Sequence, residues 1–120
     1  MAFTDAGTKD LREYCEGALI YISFQTSGDA EIYRVKTDAT NVTMTEDHED
    51  ADKRLTYEVT ILGSDVETFG GTLPVTITKA KFYKVATAGT AMTDDSDTAV
   101  TLSASGDSVV ATVKIIIPAV

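Results

Sequence analysis

The nine residues Arg54–Leu62, RLTYEVTIL, constrain the fold of this chain more than any other stretch. Leu55, Tyr57, Val59 and Ile61 alternate with Arg54, Thr56, Glu58 and Thr60. A period of two puts the four large side chains on one face of a strand, whereas a helix would scatter them around its axis. One face in a core and one in water describes an antiparallel strand.

The same period recurs elsewhere. Ala18, Ile20, Ile22 and Phe24 share one strand face, with Leu19, Tyr21 and Ser23 on the other. After the turn TSGD, residues 31–36 (EIYRVK) form a second, more polar strand, and residues 42–45 (VTMT) a third. FGG, residues 69–71, breaks the chain after the 54–62 strand. In residues 73–82, Leu73, Val75 and Ile77 hold one phase while Ala80 and Phe82 take the other. A bulge or a bend between two strands near Thr78 and Lys79 absorbs that slip. Pro74 has no N–H to give a ladder, which places it at an edge or a strand start. Further strands are expected at 80–86, 98–104 and 108–117. In the last, Val109, Ala111, Val113, Ile115 and Ile117 form one face, and Ile116 makes its end apolar on both sides, as in a central strand or one covered by a partner.

One helix is expected, over residues 4–16, before the strands of 18–117. Thr4 is its N-cap, Asp5 complements the helix dipole, and Leu11, Tyr14 and Cys15 form a narrow apolar stripe. Gly17 is placed to end it in a left-handed cap. Seven or eight short strands with turns about every ten residues predict a mainly β protein. The expected form is an antiparallel β-sandwich, jelly-roll-like, with one short N-terminal helix. The 120 residues fit one domain, residues 1–120.

Charge excludes some functions. The chain carries 19 acidic against 10 basic residues, a net charge of −9, with no basic tract. Such a field repels a phosphate backbone and an anionic lipid surface, so neither nucleic acid nor membrane is an expected partner. Cys15 is the only cysteine, so no disulfide can form within the chain, which fits folding in a reducing cytoplasm. The start MAFTDAGTKD lacks the features of a signal peptide, and the longest apolar runs are too short for a bilayer.

No catalytic constellation stands out, and no cofactor or metal is expected. The acidic run EDHEDAD, residues 46–52, lacks the glycine and the twelfth-position glutamate of an EF-hand loop, so a solvated charged loop is the simpler reading. DDSD, residues 94–97, reads the same way. His48, the single histidine, lies among carboxylates that favour its charged form. Lys79, Lys81 and Lys84 are the one local basic cluster. They serve either to protect a strand edge or to dock an acidic partner surface.

Two segments resemble short structural proteins of tailed-bacteriophage virions. MAFTDAGTKDLREYCEGALIYISFQTSGDAEIYR is similar to their start, with an FTDAG-type helix, an apolar strand, a T-x-GD turn and a Tyr-Arg pair. GTLPVTITKAKFYKVATAGTAMTDDSDTAVTL with SVVATVKIIIP is similar to their C-terminal half, including the ATAGT turn. A histidine common after the helix in those proteins is absent here.

The resemblance implies a non-enzymatic capsid decoration (cement) protein on the virion surface. It would be made in the host cytoplasm, bound to the major capsid protein and assembled as a homotrimer. The contacts it implies are Phe3, Lys79, Lys81 and Tyr83. A tail fibre, baseplate or receptor-binding module is the alternative, in which Tyr33, Tyr57 and Tyr83 would be glycan-facing aromatics. A small hydrolase or a calcium-dependent binding domain using the 46–52 loop is a third reading.

Overall fold

The computed structural model describes residues 5–46, 54–93 and 100–116. Among them the protein is mainly β, with three small antiparallel sheets and two helices. The strands are β1 (Tyr21–Gln25), β2 (Glu31–Lys36), β3 (Val42–Glu46), β4 (Arg54–Leu62), β5 (Val75–Ile77), β6 (Lys79–Tyr83), β7 (Val100–Leu102) and β8 (Ser108–Ile116). Sheet A has the order β2-β1-β6, sheet B the order β3-β4-β8, and β5 pairs with β7 alone.

β4 is the strand that alternation predicts. Leu55, Tyr57, Val59 and Ile61 are all buried, and β8 matches β4 in an unbroken register from Arg54↔Ile116 to Leu62↔Ser108. On β8 the expected inner residues Ala111, Val113 and Ile115 are buried too, while Ile117 lies outside the described residues. From sheet A, Ile22, Phe24, Val35, Ala80 and Phe82 enter the same hydrophobic cluster. The Tyr57 and Phe82 rings meet at 5.2 Å, joining sheet B to sheet A. Asn41 makes a polar link between the same sheets, its Nδ2 donating to the Tyr33 hydroxyl and to the Thr60 carbonyl, each at 3.0 Å.

The phase slip at Thr78 is a change of sheet. β5 ends at Ile77 against β7, and β6 begins at Lys79 against β1. Thr78 itself donates its N–H to the Gln25 carbonyl at 3.0 Å, continuing the sheet A ladder. Pro74 immediately precedes β5, where no ladder donor is needed.

Three expectations need correction. The first helix, α1, runs Asp5–Ala18, so Gly17 lies inside its last turn and is no left-handed cap. The chain leaves the helix only where Leu19, buried in the core, donates its N–H back to the Cys15 carbonyl. The proposed cap Thr4 lies outside the described residues.

The helix also buries a different face from the one expected. Tyr14 is 61% exposed, whereas Thr8 and Arg12 are fully buried in line with Cys15 and Leu19. Neither Thr8 nor Arg12 is without a partner there, as a buried polar or charged side chain requires.

A second helix, α2 (Gly63–Phe69), stands where only a chain break was expected. The Asp65 carboxylate accepts the Leu62 N–H at 2.9 Å at its start, and Gly70 closes its end at φ 109°. Seven residues with one buried apolar side chain, Val66, are too few to show a helical period. Gly63 is required there, because a Cβ would overlap the Ala104 backbone carbonyl.

Among the described strands β8 pairs only with β4 and stands at the edge of sheet B, which leaves the partner-covered reading of its apolar end.

Candidate interaction surface

β1 is short and buried on both faces. Ile22 and Phe24 point into the core, but Ser23 and Gln25, on the opposite face, are equally inaccessible. The register places Arg34 and Lys81 on either side of Ser23, and Lys36 and Tyr83 on either side of Tyr21. Beyond a bulge at Phe24/Gln25, Glu31 and Lys79 flank Gln25. The outer face of sheet A therefore gathers four of the ten basic residues of an acidic chain.

Arg34 organises that face. Its side chain is only 4% exposed and its guanidinium lies 3.9 Å from the centroid of the Tyr83 ring. Nε donates to Glu31 Oε2 at 2.7 Å, and one terminal nitrogen donates to the carbonyls of Val85 (2.9 Å) and Ala88 (3.0 Å). The Ser23 hydroxyl donates to the same Glu31 oxygen. Gln25 Nε2 donates to Ser23 Oγ at 3.0 Å and to the Tyr83 hydroxyl at 3.2 Å.

The turn after β6 is thus folded back onto β2. Ala88 sits at φ 53°, a conformation that costs a residue with a Cβ roughly 1–2 kcal/mol. Both carbonyls of that turn are held by one planar donor, which a lysine would not reproduce.

Asp29, in the turn between β1 and β2, receives both lysines of β6: Lys79 Nζ at 2.6 Å and Lys81 Nζ at 3.5 Å. Asp29 adopts φ 64°, which aspartate tolerates, in a turn closed by its N–H to the Thr26 carbonyl at 3.0 Å. The Lys79 hydrogen bond, and then the two lysine charges, hold its carboxyl below the ordinary value of 3.8. The lowered folded value means the ion pairs support the fold fully above the unfolded carboxylate range and lose that effect as pH falls through the folded value. In urea titrations from pH 6 to pH 2.5, wild type should exceed Asp29→Asn above about pH 4, and the two should converge in acid. Parallel curves throughout would remove Asp29 from the acid response. Asparagine keeps the left-handed turn accessible, so the comparison isolates charge.

The sequence-derived contacts fare differently. Lys79 and Lys81 lie side by side on the outer face of sheet A and share Asp29. Tyr83 is on that face too, but only 8% exposed under Arg34. Phe3 lies outside the described residues, as do His48, residues 47–52 of the acidic run and DDSD. Tyr57 is 1% exposed and Tyr83 nearly so, which corrects their role as glycan-facing aromatics. Tyr33 is half-buried between Phe24 and Phe69. Burial, followed by the Asp65 charge, pushes its hydroxyl pKa up despite the opposing Asn41 hydrogen bond.

Arg34, Glu31, Ser23 and Gln25 escaped the sequence reading. Only the Arg34 position carried a signal, as part of the Tyr-Arg pair. Elsewhere, a cleft of about 300 Å³ is lined by Glu16, Ile20, Lys36, Thr37, Asp38, Met44 and Tyr57. Cys15 packs half-buried against the core, and burial raises its thiol pKa, leaving less of the nucleophilic thiolate at neutral pH. Among the described residues no three His, Cys, Asp or Glu side chains are grouped to hold a metal ion, and no helix is long and apolar enough to cross a membrane.

No protein-family model, curated protein or solved structure matches the chain.

Proposed function

We propose that this chain is a non-enzymatic structural protein of a tailed-phage virion, a capsid decoration protein that binds the outside of the head and stiffens the shell. The observation that carries the reading is how the motifs of the resemblance meet on sheet A. Asp29 of the T-x-GD turn takes both lysines of the KAKFY strand, and Arg34 of the Tyr-Arg pair holds the ATAGT turn. Those motifs lie some fifty residues apart in the chain and join into one rigid face. A decoration protein needs a stiff body with a surface to bridge its neighbours, and no chemistry beyond that.

In this reading sheets A and B form a sandwich over the shared core, with jelly-roll-like connections. The β1–β2 hairpin lies in one sheet and β3–β4 in the other, and β6 and β8 return to flank β1 and β4. The partner is the major capsid protein, met by the N-terminal segment around Phe3 and by the Lys79–Lys81 edge of sheet A.

Purified protein added to undecorated capsids should bind saturably at micromolar concentration. A Lys79→Gln/Lys81→Gln variant should bind at least tenfold more weakly. No binding by the wild type would overturn the proposal, and unchanged binding by a folded variant would remove sheet A from the contact.

A further inference from the structure

β8 is a nine-residue strand, SVVATVKII, paired on one side with β4 over its whole length and without a bulge. Its other side has no strand beside it among the described residues. The other edges are shorter or covered. On β6 the Met92 N–H reaches the Phe82 carbonyl at 2.8 Å, and the Thr93 hydroxyl accepts the Phe82 N–H at 3.1 Å. β5 and β7 have three residues each, β3 five and β2 six. A long, regular, largely apolar edge is a template for another strand, and proteins normally blunt it with prolines, bulges or charge. β8 has no proline and a single charge, Lys114, and it presents Val110 at 56% exposure.

We infer that β8 pairs antiparallel with β8 of a second copy, making one six-stranded sheet from two sheets B. Side-chain alternation requires buried faces to stay on one side, so the twofold axis must pass through a residue. Placing it at Thr112 pairs all nine residues. Ala111 then opposes Val113 and Val109 opposes Ile115 along the core side, while Lys114 covers Val110 on the outer side and is kept from meeting its own copy. Shifting the axis to Lys114 would set like charges opposite and shorten the overlap.

Charge also favours a second copy as occupant. β8 contains none of the 19 acidic residues that would otherwise drive two such chains apart. Pairing like with like is isologous and closes at two subunits, not at the three that the resemblance implies. The inference does not depend on where in a virion the protein sits.

Sedimentation of the unmodified chain over a range of concentrations should show monomer passing to dimer. In a Cys15→Ser background, Thr112→Cys should oxidise to a disulfide-linked dimer, because directly opposed Cβ atoms lie about 5 Å apart. Val110→Cys should not, since its two copies would lie about 13 Å apart along the strands. Both positions are exposed, so the variants should fold. A monomer at the highest concentration, a trimer, or crosslinking through position 110 in preference to 112 would each overturn the inference. Loss of capsid binding with an intact dimer would count against the decoration reading alone.

Discussion

Phe82→Ala should lower the stability of this protein by about 4 kcal/mol, as expected when a fully buried aromatic is cut to a methyl group. Phe82 is 1% exposed, and its ring meets Tyr57 across the shared core. Truncation removes the transfer energy of the ring and leaves a cavity between sheets A and B, each already anchored by its own ladder and unable to collapse into it. Urea denaturation should show a lower midpoint. Phe82→Leu, which keeps much of the volume, should recover more than half of the loss. A cost below about 1.5 kcal/mol, the upper range for volume-conserving swaps, would mean that the sheets are not held together at this contact.

Arg34→Ala should cost about 3 kcal/mol, the lower end for removing one partner of a buried ion pair, because Glu31 keeps some access to water. The variant leaves the Glu31 carboxylate with the Ser23 hydroxyl alone and uncovers the Tyr83 ring. It also frees the Val85 and Ala88 carbonyls and with them the left-handed Ala88. Arg34→Lys should recover little, since an ammonium cannot serve Glu31, two carbonyls and an aromatic face in one plane. A thermal midpoint lower by roughly 10 °C is expected for a chain of this size, with hydrogen exchange accelerated across the 85–89 turn. An unchanged turn in such an experiment would show that Arg34 does not hold it.

The Arg34 site also shows where reading the sequence stopped. The outer face of β1, with Tyr21 and Ser23, has the look of a solvent face, because serine beside tyrosine reads as polar. Yet Ser23 is inaccessible, flanked by Arg34 from β2 and Lys81 from β6. Nothing within ten residues of Ser23 on its C-terminal side announces that a guanidinium and a lysine will lie beside it. α1 misled in the opposite direction. Tyr14 looks like core and is exposed, while Arg12 looks like surface and is buried, because what matters is which face the tertiary structure covers.

By itself the sequence determined that strands form at 31–36 and 54–62, which faces of β4 and β8 are apolar, and that the alternation slips near Thr78. Each of these follows from alternation over a few neighbouring residues, where steric and hydrophobic preferences are local. Tertiary structure alone decided which strands pair, that the slip at Thr78 is a change of sheet, that β8 is an edge among the described strands, that α2 exists between Leu62 and Gly70, and that a polar face is buried. Those outcomes depend on partners such as Arg34 with Val85 and Ala88, or Asp29 with Lys79, about fifty residues apart. Burial of a polar group is favourable only when such distant partners arrive together.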